Sequence, residues 1–383
     1  VLFRSGGWGA YGINISGSSN CDNILLANNM INNVVAMKYT TGATSTYIAT
    51  GIRFSAGATL ARIINNTVVV NAAQTGATVN YAQHGIYLVS TMTAAQILNN
   101  IVINNGVGTG SYAIYSASNT NISAATVNNN NYSTPSGVVG FYGGAAQATL
   151  AAWQAATGKD ANSFNITPGF VSANDLHLTT APTPLESAGA SAAVTLVTND
   201  IDNQLRPGPV GSINGGGTNP DIGADEFDAT PIFPPTISFT SITGTDCNTA
   251  LAHTIVADAA PVSGTFSSLV VNYSYNGVAQ TPIAMTNTTG NTYTATIPAA
   301  TAVHANVTWT IVATNSFGLV TQYTGAAYTD QLLFGITASA VATPATICAG
   351  QSTLLSATFN TPLATYDSPS VSAPTSDEDL GNV

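Results

Sequence analysis

The sequence predicts an all-β chain, a solenoid of stacked short strands followed by an antiparallel β-sandwich and an incomplete second one. Composition and pattern together predict this. Of 383 residues, 6 are Lys or Arg and 17 are Asp or Glu, for a net charge of −11, while 45% are apolar. A disordered acidic segment needs the reverse balance, much charge and little apolar content, and is excluded. Six dispersed basic residues cannot track a phosphate backbone, so nucleic acid is not an expected partner. No apolar run reaches the ~20 residues of a membrane-spanning helix, and no transmembrane segment is expected. The apolar runs are short, β-branched and broken by Asn, Thr, Ser and Gly, which is strand composition rather than helix composition. Such a low-charge, Thr- and Asn-rich chain suits an extracellular or cell-surface setting.

The first element is a repeat. A short strand recurs as Gly12-Ile13-Asn14-Ile15, Gly51-Ile52-Arg53-Phe54, Gly85-Ile86-Tyr87-Leu88 and Ala113-Ile114-Tyr115-Ser116. Each is followed 14 to 16 residues later by an Asn pair, at Asn28, Asn65, Asn99 and Asn128, spaced 37, 34 and 29 residues apart. Alternation sends Ile52, Phe54, Ile86 and Leu88 inward and leaves Asn14, Arg53, Tyr87 and Tyr115 as an outward column. Asn tolerates the left-handed conformation of a sharp bend, and identical amides on successive coils can hydrogen-bond as a ladder. Asn65, Asn99 and Asn128 are therefore expected in one inward column. Unequal spacing predicts loops of different length, such as the one from Asn71 to His84. These residues resemble the right-handed parallel β-helix of pectate-lyase-like proteins, over about residues 6 to 145.

Residues 149–160 predict one short helix stopped by Gly158. Beyond it come Asp175-Leu176-His177-Leu178, Asn199-Asp200-Ile201-Asp202-Asn203-Gln204-Leu205-Arg206-Pro207 and Asp221-Ile222-Gly223-Ala224-Asp225-Glu226-Phe227. This series resembles the C-terminal end of secreted β-helix proteins of the choice-of-anchor Q type from Bacteroidota-like bacteria. The usual glycine before the glutamine is replaced by Asn203, and Thr183-Pro184-Leu185-Glu186-Ser187-Ala188-Gly189 stands where that family carries Ser-Pro-x-Ile-Asp-x-Gly. By the resemblance the segment covers the open end of the solenoid. Its acids offer alternating oxygens at Asp200 and Asp202, a candidate structural Ca²⁺ site. The alternative is that Asp200 or Asp225 pairs with Arg206 and caps a turn. No other cofactor is expected.

Pro231, Pro234 and Pro235 mark a linker. Past it Leu269, Val271, Tyr273 and Tyr275 alternate with polar residues up to the hairpin signal Asn276-Gly277. Tyr293 to Ile297 and Val307 to Ala313 alternate likewise, and several such strands in about 100 residues predict a sandwich. The segment resembles the Ig-like or fibronectin-III-like modules of bacterial surface proteins. The expected domains are residues 1–228, β-helix with its C-terminal cap; 229–236, linker; 237–337, sandwich; 338–366, incomplete second module; and 367–383, tail or start of a further domain. The opening Val1-Leu2-Phe3-Arg4-Ser5 resembles the translation of a sequencing adapter, and the chain is expected to be a piece of a longer protein.

Catalysis is not expected from these residues. Glycoside hydrolysis generally needs two carboxylates flanking the bond, and residues 1–159 contain one, Asp22. Lyases of the resembled family use Ca²⁺-binding acids with a basic residue, and Lys38, Arg53 and Arg62 have no acidic cluster beside them. Cys21, Cys247 and Cys348 and the four histidines, His84, His177, His253 and His304, show neither redox nor zinc spacing. The expected function is non-catalytic, adhesion or glycan contact through Arg53, Tyr87 and Tyr115, with an extracellular glycan or cell-surface or matrix component as partner. The alternative is a polysaccharide lyase or glycoside hydrolase whose catalytic coils lie upstream.

Overall fold

The structure is a computed structural model describing residues 3–6, 10–17, 21–37, 48–71, 82–106, 110–134, 138–208, 219–243, 251–301, 305–330, 337–343 and 354–360. Lys38, residues 72–81 of the loop before His84, Cys247, His304, Cys348 and the tail from Asp367 lie outside the described residues. Strands make up 50% of the chain and helix 6%, so the protein is all-β, and among the described residues no sheet closes on itself. No helix among the described residues is long and apolar enough to cross a membrane. The chain divides into two compact units, Val1–Phe233 and Pro234–Val383.

Among the described residues three larger, mainly parallel sheets build most of the first unit, beside two-stranded pairs of Ala58–Thr59 with Met92–Thr93 and of Phe170–Ser172 with Asp175–Leu178. One carries Ala10–Ile15, Ala49–Phe54, Gln83–Leu88, Tyr112–Ser116 and Val138–Tyr142 side by side. A narrow middle sheet carries Leu25–Ala27, Arg62–Ile64, Gln96–Leu98 and Thr126–Asn128. The third carries Phe3–Gly6, Met30–Met37, Thr67–Val70, Ile101–Asn104 and Asn131–Ser133. The chain visits the three in turn. Ile52, Phe54, Ile63, Val68, Ile86, Leu88, Ile97 and Val102 are buried in a shared apolar core between them. The first and third sheets approach so closely that a Cβ on Gly85 would lie 2.1 Å from Val102 Cγ1 and 2.6 Å from the Ala113 carbonyl oxygen. Glycine at this recurring position is a consequence of that approach.

Two residues join each middle strand to the next strand of the third sheet. The first is an Asn with positive φ, at Asn28 (54°), Asn65 (53°), Asn99 (57°) and Asn129 (55°). The second turns its amide inward. Asn29 Nδ2 donates to Asn66 Oδ1 (2.8 Å), Asn66 to Asn100 (2.9 Å), and Asn100 to Asn130 (3.0 Å). The inward ladder is therefore Asn29, Asn66, Asn100 and Asn130, not the column expected at Asn65, Asn99 and Asn128. The register pairs Asn128 with Leu98, placing it within the middle strand. Three Asn pairs overlap in the run from Asn128 to Asn131, and only strand pairing selects the middle one.

The ladder ends on a carboxylate. Asn130 Nδ2 donates to Asp160 Oδ1 (3.0 Å), and Trp153 Nε1 donates to Asp160 Oδ2 (2.7 Å). Trp153 belongs to the helix Leu150–Thr157, which starts with the Thr149 side chain accepting the Ala152 N–H and stops at Gly158 with φ 65°. A Cβ on Gly140 would lie 2.3 Å from the Trp153 ring, so this helix packs on the last parallel strand of the first sheet, beyond which Ala145–Gln147 pairs antiparallel.

The acid-rich segment runs along the side of the stack, a correction to its expected place over the open end. Leu176, Leu178, Leu185, Ile222 and Phe227 pack on Val69, Ile101 and Ile103 of the third sheet. Ala193 and Val197 pack on Ile64 and Leu98 of the middle sheet. Thr67–Val70 and Ile101–Asn104 are accordingly buried along their whole length, which is why they read as continuous rather than alternating apolar runs. The positive-φ asparagines hold this flank. Asn28 donates to the Asn199 carbonyl (2.6 Å), Asn65 to that of Gly223 (3.1 Å), and Asn129 to that of Ala188 (2.8 Å), while Asn99 accepts from the Ala190 N–H (2.7 Å).

Two larger antiparallel sheets make the core of the second unit among the described residues. One orders Thr236–Ile242, His253–Ala260, Thr292–Ile297 and Thr286–Thr289; the other centres on Phe266–Tyr275 paired with Ala305–Asn315. Ile255, Ala257 and Ile297 from the first share a core with Val271, Val307, Trp309 and Ile311 from the second. Asn276 (φ 50°) and Gly277 (φ 79°) form the hairpin turn that their pair signals. Thr337–Thr343 and Leu354–Asn360 pair as a further antiparallel hairpin.

Candidate functional site

The outward surface of the first sheet gathers the aromatic residues of the repeat. Pairing sets Asn14, Arg53, Tyr87, Tyr115 and Phe141 in one row across five strands. A parallel row holds Tyr11, Thr50, His84 and Tyr112. The two rows meet on one face because both residues between them turn inward: a Cβ on Gly12, Gly51 or Gly85 would meet Ile31, Val68 or Val102 of the third sheet, and Ile52, Ile86, Ala113 and Ile114 lie in the core.

Arg53, Tyr87, Tyr115 and Phe141 are half-buried, whereas His84 is buried. The Arg53 guanidinium lies 5.0 Å from the centroid of the Tyr11 ring, and its Nη1 donates to Asn14 Oδ1 at 3.2 Å. Tyr115 is stacked on Phe141, with centroids 4.7 Å apart and 5° between planes, and on His84 at 4.9 Å and 26°. Tyr87 stands at 90° to Tyr115 and 64° to His84. Tyr115 is thus held in a stack, while among these contacts no ring lies parallel to Tyr87. Burial pushes the Tyr87 hydroxyl up, and Tyr115 adds to the shift. Desolvation lowers His84 to about 4, so its imidazole is neutral at pH 7.

The sequence brought Arg53, Tyr87 and Tyr115 to this face, and so does the structure. It missed Phe141, His84, Tyr112 and Tyr11. Phe141 was missed because its strand, Val138–Tyr142, carries Gly140 where the others carry Ile and breaks the repeat. The second row was missed because simple alternation places residues two before an inward Ile on the inward side. Two consecutive inward residues, the glycine and the Ile after it, reverse that parity.

Asp22 Oδ1 accepts the Thr59 N–H at 2.8 Å and serves a turn between strands. Asp200 is also a turn cap, its Oδ1 accepting the N–H groups of Asp202 and Gln204 and its Oδ2 that of Glu226. Asp202 stands apart from it, 2.9 Å from His177 Nε2. Arg206 pairs with Glu226 at 2.5 Å, both side chains fully buried, rather than with Asp200 or Asp225. Its Nη2 donates to the carbonyls of Gly223 and Ala224, so the buried charge is hydrogen-bonded as well as paired. No family model matches the chain, and no curated protein is similar to it.

Proposed function

We propose that the protein is a non-catalytic extracellular or cell-surface protein that contacts glycans, a right-handed parallel β-helix followed by Ig-like modules. Three parallel sheets visited in rotation, with an Asn ladder at one corner, support the β-helix reading, and two facing antiparallel sheets support the Ig-like one. The observation that carries the functional reading is the outward row of Arg53, Tyr87 and Tyr115, one residue per strand. Neighbouring strands lie about 4.8 Å apart, close to the rise of one sugar along an extended glycan. A half-buried ring with no parallel neighbour offers its face to the C–H groups of a sugar, and the adjacent guanidinium and phenol offer hydrogen bonds to its hydroxyls. Tyr87 is the stacking ring in this reading. Tyr115, its ring held between Phe141 and His84, contributes its hydroxyl.

A glycan array probed with the full chain tests this. The wild type should bind a restricted set of glycans, Tyr87→Ala should abolish the signal, and Tyr115→Phe should weaken it. Because Tyr87 packs half-buried against His84 and Tyr115, both variants are checked for native circular dichroism and urea midpoint, and a signal lost with the fold intact reports the contact. An array without wild-type binding, or binding indifferent to Tyr87→Ala, would remove the reading.

A further inference from the structure

Most acids of the flanking segment have their oxygens engaged by the segment itself. Asp221 accepts the N–H groups of Ser187 and Phe227, Glu186 that of Ala229, and Glu226 the Arg206 guanidinium. One group is arranged differently. His177, in the strand Asp175–Leu178, has Nδ1 2.5 Å from Asp175 Oδ1 and Nε2 2.9 Å from Asp202 Oδ2. Asp225 reaches the same place from the stretch after Asp221, steadied by the Leu178 N–H donating to its Oδ2 at 2.8 Å. The ligand atoms of His177, Asp202 and Asp225 all lie within 4.8 Å of one another.

The imidazole gives a second, separate observation. Nε2 is buried as an atom and makes no hydrogen bond among the described residues, although Asp202 Oδ2 is at hydrogen-bond distance. The carboxylate therefore approaches without the alignment an N–H donor requires. A lone pair on Nε2, with Nδ1–H donated to Asp175, fits this geometry, and lone pairs from nitrogen and two carboxylates then converge on one point. A carboxylate that orients a histidine through its other nitrogen is the usual outer partner of a metal-bound imidazole.

We propose that His177 Nε2, Asp202 and Asp225 bind a divalent transition-metal ion of the zinc type, with Asp175 as the positioning residue for His177. The mixed donor set decides the class. Ca²⁺ and Mg²⁺ take oxygen ligands, whereas imidazole with carboxylates suits Zn²⁺ and its neighbours. Three protein ligands leave a position for water on the solvent side, where the Asp202 side chain is 50% exposed. The ligands come from three separate stretches, the strand, the turn after Asp200 and the run after Asp221. The ion would fasten them to one another. Sequence spacing gave no zinc signal because His177 and its partner acids stand 25 and 48 residues apart, far outside any local motif.

The experiment uses the full chain without a histidine tag, stripped with chelator and titrated calorimetrically with Zn²⁺ and, separately, Ca²⁺. One Zn²⁺ should bind per chain. His177→Gln and Asp202→Asn, both at partly exposed side chains and checked for native circular dichroism, should weaken it beyond detection. Asp175→Asn should weaken it by about tenfold or more, and Asp258→Asn in the second unit should leave it unchanged. Absence of Zn²⁺ binding, Zn²⁺ affinity unchanged by His177→Gln, or binding of Ca²⁺ alone would each overturn the assignment.

Discussion

Asn66, Asn100 and Asn130 each place an amide where water cannot reach, and each is relieved by its neighbours on both sides. Asn100→Leu removes the acceptor of both the Asn66 backbone N–H and its Nδ2, and the side-chain donor to Asn130 Oδ1, which keeps only the backbone N–H of residue 100. The expected cost is about 1–3 kcal/mol per unsatisfied group, read as a lower urea midpoint at unchanged slope; no loss would show that the ladder contributes nothing. His84 makes a pH prediction. Its folded pKa of about 4 lies below the unfolded value near 6.5, so the unfolded chain takes a proton that the folded chain refuses. Stability should be complete above pH 6.5 and fall as pH drops toward 4, by at most about 3 kcal/mol. His84→Phe should flatten that slope in urea titrations at pH 7 and pH 4.5, and a slope unchanged by the substitution would sink the account. At this scale the sequence was half legible. The Asn pairs announced a bend, but which member faces inward is set by the left-handed conformation of the first, and nothing local states that.

Elements were more legible than residues. The helix Leu150–Thr157 followed from its Gly158 stop, and the hairpin at Asn276-Gly277 from its turn chemistry, because both signals are local. The covering of Thr67–Val70 and Ile101–Asn104 was present only as a hint. Their unbroken apolar runs state that both faces are buried, yet the covering residues lie more than 70 positions away in sequence. The end of the stack was missed because its device is a single carboxylate. Asp160 accepts from Ser163, Asn130, Trp153 and Tyr132, and burial pushes its carboxyl up despite those donors. Asp160→Asn puts an amide donor where four donors converge, so a destabilisation on the order of 1–3 kcal/mol is expected. Its mark would be lost hydrogen-exchange protection in Asn131–Ser133 and in the Leu150–Thr157 helix. Protection equal to wild type would show that the terminus is held by packing alone.

At the scale of the first unit, the flank and the stack should respond to pH in opposite senses. Burial, with Glu226 and Asp228 nearby, raises Glu186 to about 7, and burial also raises Asp221, Asp225 and Glu226. Arg206 stands among these acids, and His177, raised by Asp175, faces Asp225. The folded chain binds protons on these carboxyls at a pH where the unfolded chain does not. The flank should therefore tighten as pH falls from about 7 toward 4.5, while the His84 region loosens below 6.5. Hydrogen exchange corrected for intrinsic rates should show rising protection in 185–200 at pH 5.5 relative to pH 7.5, and Glu186→Gln should reduce the difference, the other raised carboxyls supplying the remainder. Equal protection at both values would contradict the sign. The two sets of asparagines have a further consequence for how the protein could change length. The inner ladder is directional, every amide donating toward the carboxylate at Asp160, so a duplicated repeat inserted before that terminator would find its donor and acceptor ready. The outer set sets a different condition. The flank runs from Asn129 past Asn99 to Asn28 and comes back to Asn65, and so works as a ruler four repeats long. A chain grown by one repeat would keep its interior and outrun its ruler, and any lineage of longer relatives should have lengthened both together.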